Sequence, residues 1–164
     1  RVCKPRGAKC TECPVEAHCE AKKLDKVDEL PPRKAKKATP VRQMLGLVYG
    51  RGDEVLLARR PMSGLWGGLW EFPNVVSQGP TWRKQEAHRL WLEAFDVELD
   101  DGGLYFEARH VLSHRIFDYQ LRGTEGPPPK ALGPYTELCW VSMSDFPSIG
   151  LSALTSRGLE AIRK

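Results

Sequence analysis

The apolar positions fall into two regimes, and the change comes near residue 43. Before it, no window sustains an apolar face. After it, short apolar stretches recur between turn residues. "QMLGLVYG" and "EVLLAR", separated by "RGD", predict a β-hairpin with a glycine-bearing turn. "LYFEARHVL" and "RIFDYQLRG" predict a second strand pair. In the latter, Phe117, Tyr119 and Leu121 alternate with Asp118, Gln120 and Arg122, so one face is buried and the other wet. "ELCWV" predicts a further strand, in which Cys139 reads as a small buried hydrophobe. Two helices complete the pattern. One is N-capped by Thr81 and carries Ala87, Leu90, Trp91, Ala94 and Phe95 at helical spacing; the other runs from about Leu151 to Ile162. The sum is an α+β domain over 43–164, large enough for one core.

Charge divides at the same place. Residues 1–42 carry 12 Lys/Arg against 6 Asp/Glu, whereas the remainder carries 13 against 15. The leader is therefore basic and the domain slightly acidic, which fits either a polyanion contact or a solvated linker. No apolar run is long enough for a membrane span. The first residues are Arg-Val-Cys, without an initiator Met, as expected of a piece of something longer.

Four of the five cysteines lie in the first nineteen residues, with the spacing C-x6-C-x2-C-x5-C: Cys3, Cys10, Cys13 and Cys19. Thiolates this close in sequence can converge on one centre, and the C-x2-C pair can ligate it together. Disulfides are disfavoured by the lack of secretory features and by the unpaired fifth cysteine. Zinc suits four thiolates, but zinc ribbons usually pair two such knuckles, and only one is present here. The spacing resembles the cluster loop of DNA glycosylases related to endonuclease III, which implies a [4Fe-4S] cluster on those four cysteines. In that family the cluster shapes a basic loop. Here the loop is "KPRGAK", which offers Lys4, Arg6 and Lys9 to DNA phosphates. Residues 1–21 are then a cluster loop. Residues 22–42 form a basic inter-domain linker containing Pro31-Pro32 and the run Arg33, Lys34, Lys36 and Lys37.

Between Val75 and Val97 the residues keep the spacing of the Nudix diphosphate-hydrolase box, G-x5-E-x7-R-E-U-x-E-E-x-G-U, with U aliphatic. Arg89 and Glu93 match it. The glycine positions hold Val75 and Asp96, and the other glutamate positions hold Thr81, Leu90 and Ala94. One remaining carboxylate cannot hold a hard divalent cation that wants several oxygen ligands. The spacing therefore predicts the scaffold without the hydrolysis. At i and i+4, Arg89 and Glu93 can simply pair on the helix.

"GLWGGLWEFP" (64–73) precedes the box, and "LARRP", "LSH" (112–114) and "LSALTSRGLEAIRK" accompany it. Together with the cysteine leader, these motifs resemble MutY-type adenine DNA glycosylases over essentially the whole chain. The resemblance implies a Nudix-like domain, a mixed β-sheet flanked by helices, that is catalytically inert. The parent enzyme would remove adenine mispaired with 8-oxoguanine, using an Asp and a Glu in a helical N-terminal domain that this sequence lacks. No catalytic residue is expected in the segment, which should cleave nothing alone. Its partners would be double-stranded DNA carrying that mispair and the missing domain. It would act as a monomer in a reducing intracellular compartment, away from membranes.

The base chemistry is specific. Guanine presents an acceptor at N7, whereas 8-oxoguanine presents an N7–H donor beside an O8 acceptor. A serine hydroxyl can serve either atom. The resemblance assigns that role to Ser113 in the "LSH" loop. His114 would orient the loop or meet a phosphate, and Leu112 replaces the family's usual Phe. The tryptophans Trp66 and Trp70 read as packing residues of a tight turn.

Overall fold

The computed structural model describes residues 2–4, 7–30 and 38–163. By backbone contacts it divides into two compact units, 1–38 and 39–164. The first contains two 3-10 turns, Cys10–Glu12 and Glu16–His18, and a single helical turn, α1 (Glu20–Lys23). None of its described residues is fully buried.

The second unit is built on β1 (Val41–Val48), whose nearly unbroken apolar run is buried on both faces. Leu45 and Leu47 point into one core cluster, and Met44 and Val48 into the other. After β2 (Gly50–Arg51) and β3 (Glu54–Arg59) come two short strands, β4 (Trp70–Glu71) and β5 (Asn74–Val76). Helix α2 (Lys84–Phe95) follows, then β6 (Leu104–Val111), β7 (Ile116–Gly123), β8 (Glu137–Ser142) and helix α3 (Ala153–Ile162). One sheet has the order β5-β1-β7-β6, mixed because β1 and β7 run parallel. The other joins β2, β3 and β4, with β8 on β3. This is the expected α+β arrangement. Helix α2 packs Ala87, Trp91 and Phe95 against Leu45 and Leu47, while α3 packs Leu154 and Leu159 against Phe72, Tyr119 and Leu121. Gly46 sits within β1 because a Cβ there would lie 2.4 Å from the Tyr119 hydroxyl oxygen.

Three local expectations are corrected. The 43–59 hairpin is only two residue pairs deep, Gly50 with Val55 and Arg51 with Glu54. The chain changes sheets at Tyr49, because a strand buried on both faces needs β5 and β7 as neighbours rather than β3. Thr81 does not cap α2: the N-cap is Arg83, without a side-chain cap bond. Cys139 is only half-buried in β8. The strand pair β6–β7 and the alternation of Phe117, Tyr119 and Leu121 are as expected. So is a terminal helix, for which Ser152 is the N-cap and accepts from the Thr155 amide.

One buried polar group ties the sheets together. Glu71, only 3% exposed in an otherwise apolar "LWEFP" run, accepts from Arg60, Asn74 and Tyr135 on its Oε1, at 2.7, 2.8 and 2.9 Å. Tyr135 Oη in turn accepts from the Asn74 amide at 3.1 Å. Burial pushes the Tyr135 phenol well above its usual pKa and the Glu71 charge adds to this, so the hydroxyl stays protonated and donates. Burial alone would lower the Arg60 pKa; the charge and hydrogen bond of Glu71, together with Tyr135, outweigh it and hold it raised.

Tyr135→Phe should therefore remove one donor to a buried carboxylate and the acceptor for a buried amide. The expected loss is about 1–3 kcal/mol. Urea denaturation should show a lower midpoint with an unchanged slope. An unchanged midpoint would show that the phenol oxygen does not hold this network.

Candidate base-recognition and cluster sites

The cysteine unit and the Nudix-like unit each contain a candidate site. In the first, Cys3, Cys10, Cys13 and Cys19 are free thiols that line one cavity of about 50 Å³, together with Val2, Val27 and Leu30. Two 3-10 turns set this up by bringing Cys10, Cys13 and Cys19 to successive corners of the chain. The Cys13 amide donates to the Cys10 carbonyl, and the Cys19 amide to the Glu16 carbonyl. Among the described residues, no three His, Cys, Asp or Glu side chains converge tightly enough to hold a metal ion. Four cysteines around one cavity are a donor set of the kind that either zinc or an iron–sulfur cluster takes. Lys4 is exposed. Lys9 is exposed and pairs with Glu12 at 2.9 Å. Arg6 and the run Arg33, Lys34, Lys36 and Lys37 lie outside the described residues.

In the second unit, "LSH" forms the turn between β6 and β7. The Leu112 amide donates to the Arg115 carbonyl at 2.9 Å, which closes the turn beyond the Val111–Ile116 pair. Leu112 is half-buried against the core cluster that contains Phe117. Ser113 and His114 are exposed, with Ser113 Oγ 3.4 Å from His114 Nδ1. A hydrophobic anchor thus holds the turn while its polar pair stays exposed. The hydroxyl can rotate to donate or accept.

His114 also lines a cleft of about 400 Å³ with Arg42, Arg60, Arg115, Trp66 and Gln78. Sequence reasoning passed over Arg42, Arg60 and Arg115. The signal for Arg60 was the lone carboxylate of "LWEFP", since a buried charge requires a partner. Trp66 takes the left-handed conformation, φ 57°, and packs at 5.5 Å from Phe117 and 5.6 Å from His110. A bulky residue rarely adopts that conformation. It is held by the loop around it: a Cβ on Gly67 would lie 2.3 Å from the Met62 carbonyl oxygen, so the chain can pass there only as glycine. Trp70 packs against the same cluster.

The Nudix-box positions meet in a separate groove of about 490 Å³, where Val75, Leu90, Glu93 and Ala94 face Asn74 and Arg60. Glu93 is the only carboxylate among these, and both of its oxygens take hydrogen bonds from Arg89, at 2.8 and 2.9 Å. The box's late glycine position is filled by Asp96, whose φ of 53° makes it the left-handed C-cap of α2. The aliphatic box positions Trp91 and Val97 are buried in the core. What survives of the box is what folds the helix.

Comparison with known proteins agrees with this geometry. The profile of the NUDIX domain matches residues 43–161. The human adenine DNA glycosylase is 25% identical over 203 aligned positions, which take in 92% of this chain and 36% of that enzyme. The chain thus spans about a third of the length of that curated relative. Its aligned share exceeds residues 39–164 alone, so the alignment extends into the first unit. Among solved structures, the E. coli ORF135 protein superimposes with a TM-score of 0.62 at 21% identity, over 76% of this chain and 90% of that one. The C-terminal domain of mouse MUTYH, in its complex with human PCNA, superimposes with a TM-score of 0.55 at 21% identity, over 74% and 87%. No helix among the described residues is long and apolar enough to cross a membrane. The chain belongs to the Nudix domain family, and its domain is related to the C-terminal domain of the adenine DNA glycosylases.

Proposed function

We propose that this chain is the DNA-binding, lesion-reading part of an adenine DNA glycosylase that acts on adenine opposite 8-oxoguanine. The observation that carries this is the presence, in one chain related to an adenine DNA glycosylase, of four cysteines around one cavity and a Nudix fold stripped of its cation ligands. A hydrolase needs the carboxylates that Leu90 and Ala94 replace, whereas a reader of base edges does not. Ser113 supplies the discriminating contact to the N7–H or O8 of 8-oxoguanine, and His114 orients it through their shared contact. Glycosidic-bond cleavage belongs to the catalytic Asp and Glu of the helical domain that completes the enzyme.

An iron–sulfur cluster held by Cys3, Cys10, Cys13 and Cys19 supports the leader. Its role is structural: none of the described residues of 1–38 is buried, and four metal–thiolate bonds would tie the loop together. The cluster fixes the loop that carries Lys4, Arg6 and Lys9, whose charges add salt-dependent affinity for any duplex. Double-stranded DNA is the partner that this charge distribution fits.

Three outcomes follow. Purified without oxygen, the chain should be brown, contain iron and sulfide, and lose both when any one of the four cysteines becomes serine. Stoichiometric zinc in a folded, iron-free preparation would refute the cluster. No divalent-cation-dependent hydrolysis of nucleoside triphosphates should appear; turnover that disappears in Glu93→Gln would revive the hydrolase. Ser113→Ala in a catalytically silenced full enzyme should reduce the preference for 8-oxoguanine over guanine by about 1–3 kcal/mol, the worth of one base-edge contact. Its salt dependence should stay the same, because no phosphate contact is lost. Equal weakening on both duplexes would make Ser113 a scaffold residue.

A further inference from the structure

The cleft beside the "LSH" turn is not explained by reading a base edge. Its cations are gathered by strand register. Arg42 in β1 lies opposite Phe117 in β7, and Arg115, in the turn just before β7, lines the same cleft. The Ile116 amide, donating to the Pro40 carbonyl at 2.9 Å, locks the two strand starts together. Trp66 and Phe117 form an aromatic floor, and His114 and Gln78 stand among the walls.

The charges in the cleft are uneven. Arg60 is neutralised by Glu71. Arg42 and Arg115 form no salt bridge among the described residues, and no lining residue is acidic. Elsewhere in the same unit, several arginines find carboxylates, Arg51 with Glu54, Arg89 with Glu93, Arg109 with Asp118 and Arg122 with Asp101, and others find different partners: Arg157 lies over the Phe106 ring, and Arg163 donates to the Met143 carbonyl. Two guanidinium groups left without a carboxylate, around a concave site with an imidazole and a strained tryptophan, call for an anion. Guanidinium forks match the oxygens of a phosphate.

We infer that the cleft framed by Arg42, Arg115, His114 and Trp66 is a phosphate-binding subsite, and that in DNA it takes the backbone phosphate adjoining the nucleotide read by the "LSH" turn. This deepens the lesion-reading proposal and rests on it for the identity of the strand. The division of labour is then physical. Ser113 meets a base edge and carries sequence information. The two arginines meet a phosphate and fix how far the turn reaches into the duplex.

The test uses the intact chain and the variants Arg42→Gln, Arg115→Gln, their combination, and Ser113→Ala. Arg42→Lys with Arg115→Lys serves as a charge-retaining control, and the thermal midpoint of every variant is checked. Binding is measured across a salt series to duplexes with guanine or 8-oxoguanine opposite adenine. In parallel, deoxyguanosine monophosphate is titrated while amide and Trp66 side-chain resonances are followed. The double glutamine variant should bind both duplexes about tenfold more weakly at low salt. Its log–log salt slope should be shallower by about one, with the 8-oxoguanine preference intact. The lysine pair should keep most of the slope. If the slope is unchanged but the monophosphate shifts these resonances in the native chain and not in the glutamine pair, the subsite stands and its phosphate comes from a free nucleotide. If neither duplex nor monophosphate responds, the subsite is refuted. Should Ser113→Ala still shift the preference in that case, the base reading survives alone. The reverse result, a changed slope with no effect of Ser113→Ala, would leave the phosphate site and remove the base reader.

Discussion

The Glu71 carboxylate, buried and bonded to Arg60, Asn74 and Tyr135, is the constraint around which the domain is arranged. A buried carboxylate is costly unless its oxygens are bonded and its charge is met, so its partners cannot move independently. Arg60 continues from the end of β3, Asn74 opens β5, and Tyr135 leads into β8. One oxygen atom therefore sets the spacing of three segments. Arg60 is shared in turn: its guanidinium lies 5.7 Å from the Trp66 ring and 5.6 Å from the Tyr135 ring. It lines both the former Nudix groove and the cleft beside the "LSH" turn.

This explains how the domain keeps a Nudix architecture without most of the box's glutamates. The parts of a Nudix box that fold the helix are its aliphatic positions and its left-handed cap, and here they persist as Trp91, Val97 and Asp96. The glutamates hold cations and contribute little to packing. Leu90 and Ala94, half-buried against the core, are better suited to an apolar groove than carboxylates would be. Loss of the ligands and retention of the helix are compatible because separate side chains serve each purpose.

The two units differ in what holds them. Residues 39–164 close over two apolar clusters that share the central strand β1. Residues 1–38 have no buried side chain among those described and place four thiols around one cavity. Hydrophobic burial accounts for the first; in the second, the described residues offer thiols in place of a core.

By itself the sequence determined the α+β class, the strand pair around "LSH" and the terminal helix, because alternation and helical periodicity are local signals. It also located the degenerate box, since fixed spacing survives when residue types change. It did not determine that Tyr49 ends one sheet and enters another, because strand pairing depends on which faces are buried at a distance. The cap of α2 likewise passed from Thr81 to Arg83 once packing placed the first turn. The largest difference lies at the site. Arg42, Arg60 and Arg115 are far apart in the chain and each reads as an ordinary surface charge. Only the parallel register of β1 on β7, and the pull of one buried carboxylate, brought them to a single cleft, because charge becomes chemistry only when the fold decides which charges are left without partners.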